Sequence, residues 1–191
     1  MTQGNTQTLR TTNTYAMAVT ALMTAVTCIL APLSIPIGPV PISLTNFAIY
    51  LSLYLLDWKK GTISYILYLL LGLVGLPVFS GFAGGLGKLL GPTGGYLIGF
   101  IFMALIGGAV IELSHRNILL TMLGWVVGTA VAYAFGTVWF VYLMKCSVTY
   151  ALTVCVYPFI GFDIVKIVIA TLLGKTVRYA ITKAGLIQKA A

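Results

Sequence analysis

The sequence predicts an all-α integral membrane protein with six transmembrane helices and both termini in the cytoplasm, and three observations carry that prediction. Hydrophobic residues make up 60% of the chain and charged residues 7%, against about 25% charged in a soluble domain. The mean hydropathy is +1.05, so lipid is the solvent for most of the molecule. The few charges gather in short breaks between apolar runs, and the bases among them fall unevenly on alternate breaks. At 191 residues the chain suits one domain and has no room for a soluble catalytic domain beside its spans.

Taken in order, residues 1–13 are polar, with Arg10 as the one charge, and read as a mobile cytoplasmic tail. The membrane domain is expected over 14–175 and a basic cytoplasmic tail over 176–191. Thr11 to Ala31 carries no charge and ends at Pro32; its length matches the roughly 20 residues that cross the hydrocarbon core. No Ala-x-Ala site follows it, which disfavours a cleaved signal peptide. Pro32, Pro36, Pro39 and Pro41 then predict an ordered turn at the membrane surface. A short second span runs from about Ile42 to Leu56, and Asp57-Trp58-Lys59-Lys60 marks an exit from the bilayer. The third span is expected from Gly61 to Leu76 and the fourth from Thr93 to Ile111. Glu112, His115 and Arg116 form the next break, with His115 reading as a solvated polar residue. The fifth span runs from Ile118 to about Leu143 and the sixth from about Val148 to Leu173.

Six spans place both termini on one side, together with Arg10, Lys59, Lys60, Arg116, Lys175, Arg178, Lys183 and Lys189; the other side holds Lys88 and Lys145. The positive-inside rule makes the first side cytoplasmic. The same scatter argues against nucleic acid as the partner of the +8 net charge, because the bases form no patch. Cys28, Cys146 and Cys155 lie in apolar segments without metal-ligand spacing and read as small buried hydrophobes, with no disulfide framework and no metal site.

The connection from about 77 to 92 faces outside in this arrangement and is rich in glycine: eight glycines lie from Gly81 to Gly99. A Walker loop would need glycine at position 82 and Ser or Thr at 89, where Phe82 and Leu89 stand; a dinucleotide fingerprint starting at Gly85 would need glycine where Leu90 stands. Irregular backbone at membrane depth survives only when buried in protein or lining a cavity. A loop that caps or lines a cavity is therefore expected, while Gly95 with Gly99 and Gly124 with Gly128 have the spacing of close helix crossings.

Asp163 and Lys166 lie inside the sixth span, where each costs about 2.5–3.5 kcal/mol on the insertion scale. Intramembrane charges are a functional hypothesis by default, and the i, i+3 spacing lets the two share a face and neutralise each other. Their chemistry suits recognition, with Asp163 accepting from ligand N–H groups and Lys166 donating to a ligand carbonyl; a purely structural ion pair is the alternative. No nucleophile and base pair accompanies them, and Ser80 has no base partner, so no catalytic residues are assigned. Thr14, Ala18, Ala21 and Ala25 form a small-residue stripe on the first span, either a docking face for another helix or packing within this chain.

The runs Gly75-Leu-Pro-Val-Phe, Gly81-Phe-Ala-Gly-Gly-Leu-Gly, Leu89-Leu-Gly-Pro-Thr-Gly-Gly-Tyr-Leu-Ile-Gly-Phe and Pro39-Val-Pro-Ile together resemble the BioY family, the biotin-binding S components of energy-coupling factor (ECF) vitamin transporters. The resemblance extends from the first span through the sixth. It implies a prokaryotic plasma membrane protein that captures biotin from outside, uses no cofactor itself, and assembles with a transmembrane coupling subunit and two ATPases that consume the ATP. It further implies that Asp163 and Lys166 match the acidic and basic residues of the family's sixth span; Gly84, Gly85, Phe79, Tyr96 and Asn46 are expected as further substrate-binding residues, and Ala18, Ala21 and Ala25, from their spacing, as the docking face. The chain departs from the family pattern at Gly161-Phe162, where Pro-Gly is frequent, at Thr45-Asn46, near a frequent glutamine, and at Lys88, where an aliphatic residue is usual. An S component for another small vitamin, or a self-sufficient oligomeric facilitator, are the alternative functions.

Overall fold

A computed structural model describes residues 3–184, with side chains described from Thr14 onward. The elements are helices, apart from a two-stranded ribbon: α1 Gln3–Leu30, β1 Ser34–Ile35, β2 Ile42–Ser43, α2 Thr45–Leu55, α3 Trp58–Leu73, α4 Leu86–Leu90, α5 Gly94–Leu113, α6 Ile118–Met144, α7 Val148–Cys155 and α8 Tyr157–Lys183. Gly94–Leu113, Ile118–Met144 and Val148–Lys183 are long and apolar enough to cross a membrane, and Thr14–Leu30 is a shorter apolar stretch. At 11 and 16 residues, α2 and α3 rise about 16 and 24 Å, less than the roughly 30 Å of a hydrocarbon core.

The helix ends, the Pro-rich turn and the sixth span differ from the sequence reading. α1 begins at Gln3 and α8 continues to Lys183, so both helices extend into stretches expected as tails; residues 185–191 lie outside the described residues. The Pro-rich turn is an antiparallel ribbon pairing Ser34 with Ser43 and Ile35 with Ile42. Pro36, Pro39 and Pro41 lack the N–H that a longer ladder would need, which keeps the strands short. The expected sixth span is two helices meeting at Val156 (φ −126, ψ −58), because Pro158 in the first turn of α8 cannot donate to the helix before it.

α2 is the centre of the bundle: nine of its eleven residues are buried. Tyr50 stacks on Trp125 of α6 with ring centroids 4.8 Å apart, and Tyr54 meets the same indole edge-on. Around them Tyr65, Tyr68, Met103, Ile111 and Ile167 complete the main core. α5 and α6 pack closely because their glycines admit each other's backbone: a Cβ on Gly99 would lie 3.0 Å from Ala132 Cα, and one on Gly128 would lie 3.0 Å from the Met103 carbonyl. α1 is joined to α3 by the Thr24 hydroxyl, 3.1 Å from Ser64 Oγ.

The glycine-rich connection folds back on itself. Phe79 N–H donates to the Ala83 carbonyl at 2.9 Å, and Gly85 N–H to the Gly72 carbonyl at 2.7 Å. A Cβ on Gly84 would lie 2.3 Å from the Leu76 carbonyl oxygen, so only glycine permits that turn. The connection is fastened to α6 by Trp139 Nε1, which donates to the Gly91 carbonyl at 2.9 Å.

Candidate binding site

The α7–α8 break creates the first part of the site. In a continuous helix the Cys155 carbonyl would accept from the N–H of residue 159; here Phe159 N–H turns to Val156, and the hydroxyl of Tyr96 on α5 donates to Cys155 instead, at 3.0 Å. The Tyr96 ring fits because Gly136 on α6 has no side chain: a Cβ there would lie 2.3 Å from the ring. α8 starts just after this junction and carries Asp163, 5% exposed, and Lys166 one turn further on.

Both charges of this pair have partners. Lys166 Nζ donates to Asp163 Oδ1 at 2.9 Å, to the Ser43 carbonyl at 2.7 Å and to Asn46 Oδ1 at 3.1 Å, which uses all three ammonium protons. Asp163 Oδ2 accepts from the hydroxyl of Tyr133 on α6 at 2.5 Å. The Tyr50 hydroxyl, deeper on α2, is 2.5 Å from Thr129 Oγ1. Three elements thus converge on one carboxylate and one ammonium, with opposite charges in contact and each hydrogen-bonded, as burial of charge requires.

Above the pair lies a cavity of about 50 Å³. Asn46, Tyr96, Asp163 and Lys166, all expected from the sequence, line it together. Ser80 and Thr93 enter from the two ends of the glycine-rich connection, and Phe100, Tyr133 and Phe159 give it an aromatic wall. Thr93 Oγ1 is buried without a hydrogen-bond partner, an arrangement that leaves one donor for a ligand. Phe79, Gly84 and Gly85 are not in the lining. Phe79 is fully buried in the core, edge-on to Tyr68; Gly84 packs on the Leu76 carbonyl of its own connection, and Gly85, at φ +84, turns the chain back to the Gly72 carbonyl of α3. Among the residues the sequence did not single out, Ser43 acts through its backbone carbonyl, which residue type does not reveal, and Tyr133 is one of 11 tyrosines with no local signal of its own.

On α1, Ala18, Ala21 and Ala25 are exposed, while Thr20, Met23, Thr24 and Thr27 turn inward. The stripe is therefore not consumed by packing among the described residues.

Fold and site together define a helical membrane protein organised around one buried, hydrogen-bonded ion pair under a small cavity. The sequence model of the BioY family matches residues 3–183, and the chain belongs to that family. It is 40% identical over 152 residues to the "Biotin transporter BioY" of Thermotoga maritima, covering 80% of this chain and 89% of that protein. To "Biotin transporter BioY2" of Lactococcus lactis it is 33% identical over 167 residues, covering 87% and 91%. The fold is similar to a 2.1 Å crystal structure of the S component for biotin from an ECF-type ABC transporter, with a TM-score of 0.81, 31% identity, and coverage of 94% of this chain and 95% of that one.

Proposed function

We propose that this chain is the biotin-binding S component of an ECF importer in a prokaryotic plasma membrane. The observation that carries the reading is the hydrogen-bond inventory of Asp163. A carboxylate offers about four acceptor positions; Lys166 takes one on Oδ1 and Tyr133 one on Oδ2. Acceptor positions therefore remain for a ligand N–H, and in a ureido ring each N–H lies beside the carbonyl, so one N–H can meet Asp163 while the carbonyl meets Lys166. The ring carbonyl then accepts a hydrogen bond from Lys166 Nζ in place of the longest contact of that ammonium, Asn46. The apolar remainder of biotin suits Phe100, Phe159 and the Tyr96 ring. The cavity is smaller than the roughly 300–1,000 Å³ of ligand pockets, so binding requires the glycine-rich connection to yield at Ser80 or Thr93 and close again.

In this reading the chain has six membrane segments, with the short α2 and α3 among them, both termini in the cytoplasm, and the connection outside. It binds no cofactor; ATP is consumed by two ATPase subunits, joined through a coupling subunit that docks on Ala18, Ala21 and Ala25. Isothermal titration of the detergent-purified chain with biotin tests the proposal. Saturable binding with no ATP hydrolysis by the chain alone is expected. No binding, or robust ATPase activity in a clean preparation, contradicts it.

A further inference from the structure

Tyr133 has no assigned role, yet among the described residues it makes the one hydrogen bond to Asp163 that comes from another helix. Its ring packs against the cluster of Tyr96, Phe140 and Phe159, and its hydroxyl donates to Asp163 Oδ2 at 2.5 Å. We infer that Tyr133 is a positioning residue for ligand capture, orienting the Asp163 carboxylate so that its open acceptor positions face the cavity. The inference rests on the reading of Asp163 as the acceptor of a ligand N–H.

The terminal torsion of an aspartate is broad and nearly two-fold, so a single donor on one oxygen leaves the carboxylate plane free to swing. Lys166 supplies that single donor, from the same helix and through a long flexible stem. Tyr133 supplies a second donor, on the other oxygen and from α6, through a rigid ring packed against an apolar cluster. Two donors from two elements fix the plane. An O–H bond to a carboxylate at this length is charge-assisted and strong. It also occupies the acceptor position that a misaligned ligand donor would otherwise use.

The test exploits a property of the sequence: Asp57 and Asp163 are its two aspartates. Asp57 is exposed and paired with Lys60, far from the cavity lining. The detergent-purified chain, labelled with 13C at the aspartate side-chain carboxyl, gives two resonances, which Asp163→Asn assigns. Tyr133→Phe is expected to move the Asp163 resonance and leave that of Asp57 in place. With biotin as the titrant, Tyr133→Phe is expected to weaken binding about fivefold to tenfold, but less than twofold in an Asp163→Asn background, because a residue acting through Asp163 has nothing left to orient there. An unmoved Asp163 resonance, or an equal loss in both backgrounds, overturns the inference. Absence of biotin binding by the unmutated chain would overturn the ligand reading instead, while the resonance still decides whether Tyr133 orients Asp163.

Discussion

The hydroxyl of Tyr96 donates to the carbonyl of Cys155 at 3.0 Å, which ties α5 to the point where α7 gives way to α8. The bond satisfies a carbonyl that the helix break would otherwise orphan, and it sets the place from which α8 carries Asp163 beneath the cavity.

Tyr96→Phe removes that donor and is expected to lower stability by about 1–3 kcal/mol, the cost of a buried group left unpaired. Thermal unfolding in detergent measures it, and biotin affinity should fall several-fold as the start of α8 loosens. Gly136→Ala should do comparable damage from the other side, since overpacking costs about 1–3 kcal/mol and the new methyl would meet the Tyr96 ring.

Asp163→Asn keeps shape and one acceptor oxygen but presents an NH2 toward ligand donors. Binding should weaken at least about tenfold, corresponding to 1.4 kcal/mol, while the protein still inserts and purifies. Lys166→Met should also weaken binding, and the double variant should lose less than the sum, because the two side chains are in contact and serve one ring. Isothermal titration of the three variants checks this; wild-type affinity in a folded Asp163→Asn preparation would make the pair purely structural.

Arg178 Nη1 donates to the carbonyls of Tyr54 at 3.3 Å and Leu55 at 3.1 Å, and Arg116 Nη1 donates to Tyr54 as well. These are the last carbonyls of α2, which have no partner within the helix. Arg178→Ala should therefore cost about 1 kcal/mol, toward the low end for a hydrogen bond because the site is half-buried and water can substitute. The unfolding temperature should drop while biotin affinity of the folded protein stays within about twofold, a range below 0.5 kcal/mol.

Ala21→Leu or Ala25→Leu should weaken assembly with the coupling subunit and leave biotin binding nearly unchanged. Both positions are exposed on α1, and a bulky side chain holds two backbones apart. Co-purification with the partner subunits gives the answer; recovery equal to wild type would return the stripe to a role in lipid contact or internal packing.

What could be read from residue type was the expensive chemistry. Asp163 and Lys166 stand out because charge in an apolar run is costly, and the structure brings both to the cavity with Asn46 and Tyr96. What residue type concealed was backbone and context. The Ser43 carbonyl that holds Lys166 belongs to every residue alike, and Tyr133 differs from its fellow tyrosines only in what lies opposite. Gly84 and Gly85 were legible as a special turn, but the turn serves the connection's own fold rather than the cavity wall. The break at Val156 had one sequence signal, Pro158, which the uniform apolarity of the segment masked.

α8 is fastened near both ends of α2, at Ser43 just before it and at Leu55, its last residue. Lys166 reaches the carbonyl of Ser43 and Arg178 that of Leu55, and both pairs are separated by 123 residues. The earlier residue of α8 meets the start of this segment and the later one meets its end, so α2 and α8 run parallel, bolted together at points about 18 Å apart along α8. Sliding α8 past α2 by even one residue, about 1.5 Å, would shear both bolts at once. The pair behaves as a strut: a displacement of α8 along its own axis loads the Lys166 and Arg178 fastenings together.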